Sequence, residues 1–176
     1  MTDSTKIDQA LSELREVVKG LVLTPADDQY RAEVSGFDLA QSHIAPIAVS
    51  AIDSADVSAT VRIAAASGLP ITVLGGGHGD IPTVTEGILL TVRRINTVEL
   101  DASEQTARVG VGATWHDVLA VAAPAGLARC AGRHRPSGWV GTCSVEGWDQ
   151  SAAPSGSAVI TCSRSRSSAQ TVISEW

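Results

Sequence analysis

Apolar side chains near the start of the chain recur at the spacing of a helix, and the next segment loses that pattern. The apolar positions between Ile7 and Val22 fall on one helical face, which predicts an amphipathic N-terminal helix. Leu23–Ser42 carries scattered polar and turn-forming residues, so we expect an extended connection over a surface. The first predicted segment, residues 1–45, is therefore a helix followed by a connection.

The next pattern predicts a strand, a helix and a second strand. Pro46–Ser50 and Ile71–Leu74 are short apolar runs, typical of buried strands. Between them, Asp53 or Ser54 is expected to cap a helix that ends at Gly68. The inner face of this helix is predicted to carry Val57, Val61, Ala64 and Ala65. Such a unit has parallel strands, and open α/β sheets bind ligands at the carboxyl ends of those strands.

Short strands dominate the following part of the chain. Three strand-like runs are Gly87–Val92, Thr97–Asp101 and Thr106–Val111. Asp101–Gln105 resembles a hairpin turn between the last two, and Thr114 is expected to cap a helix over Trp115–Ala123 that Gly126 closes. The predicted fold class is α+β, a βαβ subdomain followed by antiparallel strands.

The loop after the second strand carries the pattern with the clearest chemical meaning. Ile71–Asp80 reads ITVLGGGHGD, so three glycines, a histidine and another glycine follow a buried strand. Glycines can take positive φ angles and bring several backbone N–H groups close to an anion. We therefore predict a loop that cradles a dinucleotide, with a histidine in contact with the cofactor or bonded to it. The candidate cofactor-binding residues are Leu74, Gly75, Gly76, Gly77, His78, Gly79 and Asp80.

Other interpretations of this loop stay open on pattern alone. A plain turn with a hydrogen-bonded histidine is one of them. The loop is not a Walker motif, because no Gly-Lys-Ser/Thr follows, nor the GxGxxG start of a helix, because Ile81–Pro82 interrupts. His78 and Asp80 also resemble the His-x-Asp metal ligands of M20-type metallohydrolases, since side chains two apart on a strand share a face. No Glu-Glu pair follows to supply a general base. A non-enzymatic nucleotide-binding fragment is the remaining alternative.

Composition narrows the class of protein and its partners. The chain has 176 residues, 44% of them hydrophobic and 18% charged, as in a globular protein of one domain or slightly more. Its net charge of −6 argues against nucleic acid and anionic membranes as principal partners. No apolar run approaches the roughly 20 residues that span a bilayer, and the polar start is unlike a signal peptide. We therefore expect a cytoplasmic protein.

Residues Pro46 to Ala128 as a whole resemble the FAD-binding domain of the FAD-linked oxidases, the PCMH-type fold. The most similar branch comprises the berberine-bridge-enzyme and 6-hydroxynicotine-oxidase-like proteins. The resemblance rests on DVSATVRIAAASGLPITVLGGGHG and GILLTVRRINTVELDASEQTARVGVGATWHDVLAVAAPAGLA. It implies that the glycine loop binds the FAD pyrophosphate, and that His78 occupies the position of the histidine commonly bonded to the flavin C8α carbon. Leu74 departs from the family, which often has arginine there.

The resemblance also implies a reaction. In this family a substrate carbon gives a hydride to flavin N5, and O2 commonly reoxidises the flavin. The implied partners are FAD, a small organic substrate and O2. Catalytic residues in such enzymes come largely from a later domain, so none is assigned in this chain. We expect a fragment that is inactive as an oxidase and retains FAD weakly or not at all.

The resemblance stops after Ala128, where the composition also changes. Three of the four tryptophans and all three cysteines lie beyond it, the latter being Cys130, Cys143 and Cys162. The cysteine spacings match no zinc template. Read in a shifted frame, the codons of Ser137–Gln150 can encode Gly-Val-Gly-Gly-Tyr-x-Leu-Gly-Gly-Gly-Leu-Gly-Pro, as in the family at this point. We therefore predict a partial FAD-binding domain over 46–128 and a frameshifted, disordered tail over 129–176.

Overall fold

The computed structural model describes residues 4–39, 42–78, 82–128, 157–161 and 163–164. The chain divides into two compact units, one that ends at Arg94 and one that begins at Ile95. The predicted segment boundaries at 45/46 and 128/129 stay predictions. The predictions that concern Gly79, Asp80 and most of residues 129–176 fall outside the described residues. No helix within the described ranges is both long enough and apolar enough to cross a bilayer.

Over its described residues, the first unit is a four-stranded sheet with three helices. Its elements are α1 Ser4–Val17, β1 Leu21–Leu23, α2 Tyr30–Val34, β2 Ile47–Ser50, α3 Ser54–Ser67, β3 Ile71–Leu74 and β4 Ile88–Thr91. The strand order is β1-β2-β4-β3. Strand β4 is parallel to both of its neighbours, and β1 is antiparallel to β2. The predicted βαβ unit with parallel strands is therefore confirmed, and β4 lies between its two strands.

Two elements of this unit differ from the prediction. The N-terminal helix ends at Val17, and part of the residues expected to continue it form β1. The predicted extended connection contains the short helix α2. Both elements depend on contacts that are distant in sequence: β1 pairs with β2, and the hydroxyl of Tyr30 in α2 donates a buried hydrogen bond of 2.7 Å to the Ala45 carbonyl.

Helix α3 begins and ends as predicted but buries a different face. The Asp53 side chain accepts a hydrogen bond from the Asp56 N–H at its start, and Gly68 ends it with a φ of +65°. The predicted inner residues Val61 and Ala65 are exposed. Asp56 is drawn inward because its carboxylate accepts hydrogen bonds from three backbone N–H groups, those of Lys19, Gly20 and Ile52. The helix therefore buries Asp56, Thr60, Ile63 and Ala64.

Over its described residues, the second unit combines antiparallel strands with one α-helix. Its elements are β5 Val98–Asp101, β6 Thr106–Gly110, α4 Trp115–Ala122, a 3₁₀ turn Ala123–Ala125, β7 Leu127–Ala128, β8 Ser157–Thr161 and β9 Ser163–Arg164. Strand β6 lies between β5 and β8, and β7 pairs with β9. The predicted β5–β6 hairpin and the helix capped by Thr114 are confirmed, and so is the α+β fold class.

Two segments of the predicted tail are strands in the structure. Strand β8 pairs with β6 along its whole length, and β9 pairs with β7. For these residues the structure differs from the expected disorder. The physical reason is the β propensity of Val159, Ile160 and Thr161 as translated. The frameshift origin of the segment stays a prediction.

Candidate functional site

The candidate site begins at the carboxyl ends of two parallel strands. Strands β3 and β4 pair in register up to Leu74 and Thr91, and the glycine loop follows Leu74 directly. The Leu74 side chain is 2% exposed and belongs to a core cluster with Val84 and Leu89. Its carbonyl accepts a hydrogen bond of 3.2 Å from the Val92 N–H. The side chain of Leu74 thus fixes where the loop starts, and its contact with the cofactor stays a prediction.

The glycines of the loop differ in what surrounds them. Gly77 has a φ of +71°, in the left-handed region that favours glycine. A Cβ on Gly75 would meet no heavy atom of the described residues within 4 Å, and Gly76 is exposed. The loop backbone is therefore constrained at Gly77 and open beside Gly75. This arrangement suits the approach of an anion to backbone N–H groups.

A segment from the predicted connection, Gly36–Asp38, lies across the glycine loop and is termed here the clamp segment. The N–H of Phe37 donates a hydrogen bond of 3.1 Å to the Gly76 carbonyl. The N–H of Asp38 donates one of 3.4 Å to the Gly77 carbonyl. The loop is therefore held by main-chain bonds to residues that precede it by two strands and a helix.

The clamp segment also contacts the candidate histidine. The rings of Phe37 and His78 are stacked, with centroids 4.0 Å apart and planes inclined by 24°. Both residues are exposed, so the imidazole lies at the surface of the first unit. Sequence reasoning missed Phe37 because it is far from the loop along the chain. No neighbouring residue in the sequence signals the contact.

Arg93 holds the helix that precedes the clamp segment. Its guanidinium donates hydrogen bonds to the Ser35 carbonyl at 2.9 Å and to two carbonyls at the end of α2, those of Ala32 and Glu33. The last carbonyls of a helix have no partner within the helix, and a cationic side chain also complements the helix dipole. Arg93 lies two residues beyond Thr91, the last residue of β4. It thereby ties α2 to the carboxyl end of the sheet.

Glu33 is the anionic centre of the same cluster. Its carboxylate accepts hydrogen bonds from the Ser50 hydroxyl at 2.9 Å and from the Arg94 guanidinium, and it lies 4.0 Å from Arg93. Burial opposes ionisation of Glu33, but the hydrogen bonds from Arg94 and Ser50 and the charges of both arginines outweigh burial. The pKa of Glu33 is therefore lower than its usual value, and the carboxylate stays charged at neutral pH.

The described residues offer no support to the metal-site alternative. Within the ranges that the structure covers, no three His, Cys, Asp or Glu side chains are grouped so that they could hold a metal ion. His78 is among the described residues, whereas Asp80 lies outside them. The open glycine backbone next to His78 suits a phosphate-bearing cofactor better than a metal ion, which needs side-chain ligands.

Comparison with known proteins gives the family. A family model described as an FAD binding domain matches residues 45–164. The chain is 31% identical over 126 residues to (R)-6-hydroxynicotine oxidase of Paenarthrobacter nicotinovorans, which covers 70% of this chain and 28% of that protein. The crystal structure of 6-hydroxy-D-nicotine oxidase from Arthrobacter nicotinovorans is similar, with a TM-score of 0.65, 31% identity, and coverage of 70% of this chain and 28% of that one. BBE-like 1 of Physcomitrella patens shares the fold, with a TM-score of 0.63, 20% identity, and coverage of 78% and 30%.

The fold and the site define the class as FAD-dependent oxidoreductases with a PCMH-type domain. The chain belongs to the FAD-binding domain family of these enzymes, and the cofactor of the family is FAD. The resemblance drawn from the sequence is thus confirmed, and neither the metallohydrolase nor the non-enzymatic alternative is favoured. The chain spans 28% of the length of the nicotine oxidase that it matches.

Proposed function

We propose that the glycine loop holds the pyrophosphate of FAD and that His78 is the point of covalent attachment to the flavin. The observation that carries the proposal is the position of the loop. Gly75–Gly77 follow directly on a parallel strand, in a chain of an FAD-binding family, with open space beside Gly75 and an exposed imidazole at His78. Phosphate oxygens accept hydrogen bonds from the N–H groups of such loops. Gly79 and Asp80 belong to the proposed site by sequence.

The proposed link joins an imidazole nitrogen of His78 to the C8α carbon of the flavin. One C–H bond and one N–H bond are replaced by one C–N bond, and two protons leave. A bound flavin would accept the two electrons that are released and would pass them to O2, which gives hydrogen peroxide. The flavin supplies the redox chemistry, and the protein binds and orients it.

For the whole protein we propose oxidase chemistry. A substrate carbon gives a hydride to flavin N5, and O2 reoxidises the flavin. The support for this proposal is the family and the named activity of the relative from Paenarthrobacter nicotinovorans. The proposed substrate class is a small organic molecule. This chain alone is proposed to bind FAD weakly and to lack oxidase activity, and its proposed location is the cytoplasm.

We further propose that the chain from about Arg129 onward is translated in a shifted frame. Two observations bear on this proposal in opposite directions. The shifted codons can encode family-like strings in order, whereas the family match of the chain as translated continues to residue 164. Sequencing of the DNA across the codons for Leu127 to Gly132 decides between them. One missing or extra base with an open frame beyond it supports the proposal, and codons that cannot encode the shifted strings contradict it.

A binding experiment tests the proposed cofactor site. The full chain is titrated with FAD, and binding is followed by flavin fluorescence, with ADP as competitor and riboflavin as an alternative ligand. We expect ADP to compete with FAD and riboflavin to bind at least about tenfold more weakly, because riboflavin lacks the pyrophosphate that accepts the charge-assisted hydrogen bonds. Equal affinity for FAD and riboflavin, without competition from ADP, would show that the loop does not bind the pyrophosphate.

A further inference from the structure

Phe37 covers one face of the His78 imidazole without being a core residue. The two rings are close to parallel, with centroids 4.0 Å apart. Phe37 is 57% exposed, so burial does not account for its aromatic ring. A stacked aromatic pair contributes interaction energy beyond the area that it buries. The contact therefore restricts the orientation of an imidazole that is otherwise at the surface.

The backbone that carries Phe37 is fixed on both sides of the ring. On one side, Arg93 donates a hydrogen bond of 2.9 Å to the carbonyl of Ser35. On the other, the N–H of Asp38 donates a hydrogen bond of 3.4 Å to the Gly77 carbonyl, and the N–H of Phe37 itself bonds to the Gly76 carbonyl. The backbones of the clamp segment and the loop are so close that a Cβ on Gly36 would lie 2.9 Å from the Cα of Gly77. The ring is therefore presented to His78 by a backbone that is anchored to both the loop and the sheet.

We propose that Phe37 is a positioning residue that holds the His78 imidazole in one orientation with respect to the glycine loop. The inference rests on the proposed role of His78 at the flavin. An exposed histidine samples several side-chain rotamers, and only a fraction of them directs a ring nitrogen at a given cofactor atom. A reacting group that is held in the productive orientation reacts faster than one that must find it. Phe37 has no acid–base or redox role in this scheme.

Four variants of the full chain separate stacking from simple apolar coverage. Phe37→Leu keeps an apolar side chain and removes the stack, and Phe37→Tyr keeps the stack. Leu39→Ala is the matched control, because Leu39 is in the same stretch of chain and is 81% exposed. His78→Ala identifies the NMR signals of the His78 ring by their loss. Thermal unfolding of each variant confirms that the fold is retained.

The first readout needs no flavin. The ring protons of His78 are shifted by the ring current of Phe37, and we expect Phe37→Leu to move them to the positions of an unstacked histidine. Phe37→Tyr and Leu39→Ala should leave the shift in place. Ring-proton signals that are the same in Phe37→Leu and in the wild type would overturn the proposal, because the stack would then not exist in solution.

The second readout is the rate at which the chain gains flavin mass when it is incubated with FAD. We expect Phe37→Leu to slow this gain about three- to tenfold, the factor that corresponds to the loss of one aromatic pair, with an unchanged Kd for reversible FAD binding. Phe37→Tyr should restore the wild-type rate. A wild-type rate in Phe37→Leu contradicts the proposal. If the wild type itself gains no flavin mass, the covalent link of the proposed function fails, and the NMR readout alone decides whether Phe37 positions His78.

Discussion

Gly36 and Gly77 approach each other so closely that neither position accommodates a side chain. A Cβ on Gly77 would lie 2.4 Å from the Cα of Gly36, and a Cβ on Gly36 would lie 2.9 Å from the Cα of Gly77. These atoms belong to backbone, which cannot move aside as a flexible side chain does. The contact joins the clamp segment to the loop that holds His78, so the geometry of the proposed flavin site depends on two glycines far apart in the sequence.

Gly77→Ala and Gly75→Ala are expected to act differently on stability and on FAD binding. Gly77→Ala should lower the free energy of unfolding, because its φ of +71° costs a residue with a Cβ about 1–2 kcal/mol and because the Cβ meets Gly36. Gly75→Ala should unfold like the wild type, since the space beside Gly75 is open. The added methyl group lies where the pyrophosphate is proposed to bind, so this variant should bind FAD at least about tenfold more weakly. Urea unfolding and FAD titration measure the two effects. Wild-type affinity in Gly75→Ala would place the cofactor elsewhere.

Arg93→Ala should loosen the end of α2 and, with it, the clamp segment. The substitution leaves the carbonyls of Ala32, Glu33 and Ser35 without their guanidinium donor. Because hydrogen bonds to a charged group are stronger than neutral ones, we expect a loss of about 2 kcal/mol in the free energy of unfolding. Hydrogen exchange of the Phe37 amide should also become faster. Arg62→Ala, at an exposed position of α3, is the control. Equal losses of unfolding free energy in the two variants would contradict the role of Arg93 at the end of α2.

Asp56→Ala should destabilise the first unit more than any surface substitution. Asp56 is 1% exposed, and its carboxylate accepts hydrogen bonds from the N–H groups of Lys19, Gly20 and Ile52. Removal of the carboxylate leaves these donors unsatisfied, which we expect to cost about 3 kcal/mol. Asp8→Ala, at an exposed position of α1, should change the free energy of unfolding by less than about 0.5 kcal/mol. Similar urea midpoints for the two variants would refute the structural role of Asp56.

Glu33 should make stability depend on pH in the acid range. Its pKa in the folded chain is lower than the usual 4.5, so the unfolded chain binds the proton more tightly. The stabilisation is therefore fully present above the unfolded pKa and is lost as the pH falls through the folded pKa. We expect the difference in unfolding free energy between the wild type and Glu33→Gln to shrink between about pH 6 and pH 3. Other carboxylates with lowered pKa values, such as Asp53, cancel in that difference. A difference in unfolding free energy that stays constant with pH would contradict the lowered pKa of Glu33.

Local signals in the sequence predicted the elements that local chemistry determines. Strand β3 ends at Leu74 because glycines follow. Helices α3 and α4 begin directly after Asp53 and Thr114, because those side chains accept hydrogen bonds from the first turn. The glycine loop was also recognisable, because no other part of the chain joins an apolar strand to consecutive glycines and a histidine. These features need only a few neighbouring residues to be understood.

The features that the sequence did not reveal depend on long-range partners. Strand β1 exists because it pairs with β2, and the clamp segment is placed by its bonds to Gly76 and by Arg93. The predicted inner face of α3 was wrong at Val61 and Ala65, because apolar periodicity does not count a buried carboxylate, and Asp56 is one. Nothing close to Phe37 in the sequence indicates that its ring stacks on His78.

Locating flavin on the chain is the sharpest test of the proposed role of His78. The full chain is incubated with FAD under air, denatured to remove reversibly bound cofactor, digested, and analysed by mass spectrometry in parallel with His78→Ala. We expect one flavin-bearing peptide in the wild type, modified at His78. We expect none in His78→Ala, which should still bind FAD reversibly. Flavin attached to another residue, or the same modification in His78→Ala, would contradict the placement of His78 at the flavin.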